Sequence, residues 1–217
     1  MWLAKVRKAT ASLPRWRFEM RDLEQLASRP VPRFYIFGDY NAGKSSFIKR
    51  LLLEDGRTIP DSLAVRADAT TSAMHSYPWN DVLLVDTPGL QSRRDADTRR
   101  ALASYADASF MICLLQPSML ASTIAWLSKV LPGDASMAVA SKLERTLFII
   151  SRADELGPDP EEDLQEYKRA CDRKRKELLQ ALARHDVILP PERVLFMSAD
   201  PYGLVGDRID VDPSHFE

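Results

Sequence analysis

Cysteine is scarce: among 217 residues only Cys113 and Cys171 occur. Cys113 sits in an apolar run and Cys171 in a charged helical stretch, so no disulfide framework is expected and a reducing compartment fits. The ligand spacing of a zinc site is missing as well. Long hydrophobic runs are absent. The longest, such as Phe110 to Leu115, fall far short of the ~20 residues that cross a bilayer. No apolar stretch follows Met1-Trp2-Leu3-Ala4-Lys5, so no secretory leader is expected. Charge of one sign is not in excess either: 30 Lys and Arg face 31 Asp and Glu, a formal charge of −1. With no global field, a nucleic-acid partner is not indicated, although local patches remain. No internal repeat or low-complexity tract appears, which excludes solenoids and propellers. What is there is an ordinary globular mixture, 45% hydrophobic and 28% charged. That argues against disorder, and a chain of this length can bury about 70% of its unfolded surface.

The order of apolar segments gives the architecture. Residues 1–30 read as a helical N-terminal extension rich in Arg and Lys, with Trp2, Leu3, Val6, Leu13, Trp16, Met20, Leu23 and Leu26 at roughly helical spacing around Pro14. From residue 31 short apolar runs alternate with helical ones. Strands are predicted at Phe34–Phe37, Ala73–Trp79 (an edge), Val82–Val85, Ser109–Leu115, Thr146–Ile150 and Val194–Met197. Helices are predicted through Phe47, Ile48, Leu51 and Leu52, from about Asp95 to Tyr105, from Ser122 to Leu131, and from Pro160 to His185. In the last of these, Leu164, Tyr167, Cys171, Leu178 and Leu182 share one face. Such alternation implies βαβ units: an α/β fold whose mostly parallel sheet carries helices on both faces. Residues 201–217 hold too few periodic apolar residues for a closing helix. The expectation is therefore a domain over 31–217 truncated before its last helix, or covered by residues 1–30.

Gly38-Asp39-Tyr40-Asn41-Ala42-Gly43-Lys44-Ser45 matches G-x-x-x-x-G-K-[ST] between a predicted strand and a predicted helix. Glycines let the loop's N–H groups turn inward around phosphates, and the helix N-terminus, where Ser46 follows, adds partial positive charge. Lys44 can reach the β and γ phosphates while the Ser45 hydroxyl ligates Mg²⁺. Asp86-Thr87-Pro88-Gly89 follows a buried strand. Asp86 there can hold Mg²⁺ through water, and the Gly89 N–H can meet the γ-phosphate. Between the motifs, Thr70 and Thr71 lie on a polar loop; a hydroxyl there can ligate Mg²⁺ and sense the γ-phosphate, and Thr71 is favoured. Ser151-Arg152-Ala153-Asp154 ends the next strand. Asp154 can accept from the guanine N1–H and N2–H₂ edge, which adenine lacks, and Arg152 can cover the base face. Ser198-Ala199 follows the final strand, where a backbone N–H can donate to guanine O6. Each element stands just past a strand's carboxyl end, where open parallel sheets bind their ligands.

In that order, from Gly38 to Ala199, the chain resembles translation-factor-type P-loop GTPases. Gly43-Lys44-Ser45-Ser46-Phe47, Thr70-Thr71 and Asp86-Thr87-Pro88-Gly89 look most like the bacterial dynamin-like GTPases, with Era-like and tRNA-modifying GTPases near. The resemblance implies a Ras-like G domain, GTP hydrolysis with Mg²⁺, a nucleotide-dependent homodimer and, in many members, membrane work. The chain departs from the family at Ser151 and Arg152, where N/T-K is usual. It departs again at Leu90, which cannot orient water as a glutamine does, and at Tyr40, where dynamins carry a glutamine. Catalytic charge must then come from elsewhere. In the cation-dependent members, an asparagine at the position of Asn41 coordinates K⁺, and Lys44, Asn41, Thr71 and Gly89 form the expected catalytic set.

The reading is a GTPase acting as a switch or as a dynamin-like motor head, cytoplasmic, with peripheral membrane contact open through Trp2 and Trp16. Two other classes stand beside it: a P-loop ATPase with a chance match at 151–154, and a GTP-binding interaction module that does not hydrolyse. Arg93, Arg94, Arg99 and Arg100 and the run Arg173-Lys174-Arg175-Lys176 read as solvated helix faces, and His75, His185 and His215 as scattered residues without a catalytic partner.

Overall fold

A computed structural model of the chain describes residues 8, 24, 28, 31–39, 41–63, 74–87, 105, 108–118, 121–133, 141–203 and 205–206. Six strands form one sheet: β1 (Arg33–Gly38), β2 (His75–Trp79), β3 (Val82–Asp86), β4 (Phe110–Leu115), β5 (Thr146–Ser151) and β6 (Val194–Met197), in the spatial order β2-β3-β1-β4-β5-β6. Only β2 runs antiparallel, against β3. The central strands read as unbroken apolar runs because both faces of a parallel sheet are covered. Tyr35, Ile36 and Phe37 are all buried, as are Met111 to Leu115. β2 carries Pro78; a proline removes a ladder donor and is tolerated at a sheet edge.

Helix α1 (Lys44–Glu54) covers one face. Phe47, Ile48 and Leu52 pack there with Ile36, Leu84, Ile112, Leu114 and Ile149. On the other face α2 (Ala121–Val130) and α3 (Leu164–Ala183) contribute Ile124, Leu127, Leu178 and Leu182 against Tyr35, Phe37, Cys113, Phe148 and Ile150. Tyr105 stands edge-on to Tyr35, ring centroids 5.9 Å apart.

The observed strands match the predicted ones to within two residues. The long helix starts at Leu164 rather than Pro160, because Asp163 caps it: its carboxylate accepts the Glu166 N–H at 2.9 Å. Leu164 is 40% exposed, not part of the buried stripe, which begins further along at Ala170 and Cys171. The basic run on α3 faces solvent at Arg173 and Lys176, while Arg175 lies 5.1 Å over the Phe196 ring. Both cysteines are buried and free, and burial pushes the Cys113 thiol far up, into an inert form. Among the described residues no helix is long and apolar enough to cross a membrane. The helix expected over 95–104 and most of residues 1–30 lie outside the described residues.

Candidate nucleotide site

The carboxyl ends of β1, β3, β4, β5 and β6 share one edge of the sheet, and every described motif residue sits on it. β1 ends at Gly38, whose backbone (φ 149°) passes so close to β4 that a Cβ would stand 2.1 Å from the Leu114 carbonyl oxygen. The loop then turns through Asn41 (φ 58°) and Gly43 (φ 77°), both left-handed. Asparagine and glycine are the residues that adopt this conformation readily. The turn starts α1 at Lys44, aiming its first free N–H groups at the loop's mouth. Asn41 is exposed and Ala42 buried.

Lys44 folds its ammonium back into the loop, donating to Asp39 O at 2.7 Å and Gly38 O at 3.4 Å. Burial lowers its pKa from the ordinary lysine value, while the Asp86 and Asp39 carboxylates favour the charged form. Across the site Ser45 Oγ donates to Asp86 Oδ2 at 3.0 Å. Burial also raises the Asp86 carboxyl above its usual range, against the Ser45 hydrogen bond and the Lys44 charge. Asp86 Oδ1 is buried with no hydrogen-bond partner among the described residues. A hydroxyl and a carboxylate with an orphaned oxygen fit Mg²⁺, which takes a few hard protein oxygens and keeps its waters. Ser46 follows on the first turn of α1.

At the base end, β5 and β6 pair Ser151 with Met197, which puts the two turns that follow side by side. Ser151 is buried and donates to the Leu115 carbonyl of β4 at 3.1 Å, so its hydroxyl ties strands together. Arg152 adopts the left-handed conformation (φ 54°) and pairs with Glu155. Asp154 is half-buried, and so are Ser198 and Ala199 just beyond β6.

Tyr40, Thr70, Thr71, Gly89 and Leu90 lie outside the described residues, as do Arg93, Arg94, Arg99 and Arg100. The structure brings together three residues that the sequence did not single out. Thr123 on α2 donates to Asp39 Oδ2 at 2.7 Å, with both side chains buried. Thr87 donates its hydroxyl to Ile36 O at 3.0 Å, pinning the start of the Asp86 turn to β1. Arg50 on α1 donates to the Ala199 carbonyl at 3.1 Å. Thr87 belongs to a motif and could have been suspected; Arg50 and Thr123 meet partners far along the chain and left no local signal.

The family model of 50S ribosome-binding GTPases matches residues 33–142, half of the chain, from the start of β1 to the approach to β5. The chain belongs to that family. This P-loop GTPase is 34% identical over 130 residues to GTPase Der of Gemmatimonas aurantiaca, covering 54% of the chain and 28% of the relative. It is 35% identical over 80 residues to GTPase Der of Flavobacterium johnsoniae, covering 37% and 18%. The chain thus spans less than a third of the length of these curated relatives. Among solved structures, the LeoA bacterial dynamin GTPase from ETEC superposes with a TM-score of 0.54 at 18% identity, over 93% of this chain and 36% of LeoA. Toc33 from Arabidopsis thaliana, in complex with GDP and Mg²⁺, gives 0.51 at 12% identity, over 83% and 78%. At such identities the likeness is one of fold, a Ras-like G domain.

Proposed function

We propose that this GTPase binds GTP with Mg²⁺ and hydrolyses it to GDP and phosphate at the mouth of the Gly38–Ser45 loop. The observation that carries the reading is the half-buried Ser45 hydroxyl bonded at 3.0 Å to the buried Asp86 carboxylate, with the buried Lys44 next to it in the loop. Phosphoryl transfer asks mainly for positioning and charge neutralisation. The amides of Asp39 to Ser46 cradle the phosphates, Lys44 turns from Asp39 O to the β and γ phosphates, and Ser45, Asp86 and Thr71 hold the metal. Mg²⁺ supplies neutralisation of charge on the phosphate oxygens. Asp154 and Arg152 select and cover guanine, and Ser198-Ala199 meets its 6-oxo group. Asn41, exposed in the loop, is the residue through which K⁺ supplies catalytic charge, since Leu90 cannot orient the attacking water. Gly89 meets the γ-phosphate.

The finer reading is a cytoplasmic switch or motor head that dimerises with nucleotide bound and touches membranes through residues 1–30, beside a G domain over 31–217. The dynamin-like fold of LeoA supports it. A Toc33 structure similar in fold, TM-score 0.52, is described as a dimerization-deficient mutant, which speaks for dimerisation in that protein. The test is nucleotide titration and turnover in Mg²⁺ and in excess chelator, for the chain and for Lys44→Ala. Triphosphate affinity should fall at least a hundredfold in the variant while its circular dichroism is unchanged. Unaltered GTP affinity in the folded variant would overturn the reading, and tighter binding of ATP than of GTP would favour an ATPase.

A further inference from the structure

α1 does more than present its N-terminus to the phosphates. Six residues after Lys44, Arg50 sends its guanidinium across to the far end of the site, with only 14% of the side chain exposed. Nε donates to Ala199 O at 3.1 Å, Nη2 to Gly206 O at 2.8 Å, and Nη1 to Glu54 Oε1 at 3.3 Å. Three bonds from one planar fork leave it little freedom to rotate. The segment that it grips is also closed on itself. Asp200 Oδ1 accepts the N–H groups of Val205 at 2.9 Å and Gly206 at 2.8 Å, and the Gly203 N–H reaches Asp200 O at 3.1 Å. Ala199 therefore stands between β6, which ends two residues earlier at Met197 and is paired to Ser151 there, and the Arg50 grip, which fixes the carbonyl after it. A loop residue held on both sides presents its N–H in one direction.

We propose that Arg50 is a positioning residue of the base subsite: by fixing the Ala199 carbonyl it aims the Ala199 N–H at the purine 6-oxo group and joins base recognition to the phosphate-binding helix. The inference rests on the proposed reading of Ser198-Ala199 as the guanine O6 contact. The 6-thio analogue of GDP isolates that contact, because it keeps the N1–H and N2–H₂ donors and offers sulfur, a weak acceptor. Xanthosine diphosphate does the reverse: it keeps the 6-oxo group and changes the edge that Asp154 reads.

The experiment is calorimetric titration of the full chain, Arg50→Met and Arg50→Gln with GDP, 6-thio-GDP and xanthosine diphosphate. The chain itself should prefer GDP over 6-thio-GDP roughly fivefold or more, the net worth of one hydrogen bond. Both variants should lose most of that preference while keeping the preference for GDP over xanthosine diphosphate. Arg50→Gln retains a single donor and a good helix former, so it reports even if Arg50→Met fails to fold. If the chain does not discriminate against 6-thio-GDP, the O6 reading fails and the inference falls with it. If it does discriminate and a folded variant keeps the full preference, the base reading stands and Arg50 has no positioning role. If both preferences fall together, Arg50 only stiffens the domain, and the inference is overturned.

Discussion

Replacing Thr123 by valine removes one hydroxyl from a site that is otherwise unchanged in shape. The side chain is 3% exposed and its partner Asp39 4% exposed, so neither can turn to solvent. Valine fills the same volume and keeps the β-branch, so no cavity opens and α2 keeps its local preference. What is lost is the 2.7 Å bond to a buried carboxylate. Hydrogen bonds to charged groups contribute about 1.5–3 kcal/mol, and the loss falls on a carboxylate of the loop that is proposed to hold phosphate. For a chain of this size 1 kcal/mol moves the midpoint by about 2–4 °C. Thr123→Val should therefore melt roughly 3–12 °C below the parent, and Thr123→Ser should stay near it. Thermal and urea unfolding measure both. A double-mutant cycle with Asp39→Asn separates the pair from its surroundings and should give a coupling of at least about 1 kcal/mol. A valine variant melting within about 1 °C of the parent, with no coupling to Asp39, would refute the stabilisation assigned to this bond.

Two glycines of the same loop should respond differently. Gly38→Ala places a methyl 2.1 Å from the backbone oxygen of Leu114 and should cost roughly 3 kcal/mol or more; Gly43→Ala meets nothing within 4 Å and should cost only the left-handed penalty of about 1–2 kcal/mol. Equal midpoints for the two would contradict the close approach of β1 to β4. Asp154→Asn should shift preference from GTP toward XTP, because an amide can donate to the extra carbonyl of xanthine; an unchanged affinity ratio would remove Asp154 from base recognition. GTP turnover should run faster in K⁺ than in Na⁺ at equal ionic strength, and Asn41→Ala should abolish the difference. Equal rates at protein concentrations that permit dimers would take the cation out of the mechanism and point to a partner protein.

The strands were readable because each is a run of apolar residues, a pattern that a parallel sheet covered on both faces imposes. The Lys44 loop was readable because its residue types are dictated by the turn itself. The contacts that brace the site were not. Thr123 is 84 positions from Asp39, and Arg50 is 149 and 156 positions from Ala199 and Gly206. A threonine early in a helix, or an arginine four residues before a glutamate, has an ordinary local explanation; in fact Arg50 also makes that local pair with Glu54. Ser151 shows the opposite case. Its place in a motif suggested a role toward the base, while its buried hydroxyl is used on the Leu115 carbonyl.

The ammonium of Lys44 already has oxygen partners within its own loop, Asp39 O at 2.7 Å and Gly38 O at 3.4 Å. Those carbonyls compete with any phosphate for the same charge, tethered beside it at high effective concentration. On the proposed reading, nucleotide binding at this lysine is a swap of one set of partners for another, and the affinity measured is the difference between them. The same swap run backwards eases departure, since the leaving phosphate does not strand a bare cation in a buried place. A loop built in this way trades tightness of grip for ease of turnover of its ligand.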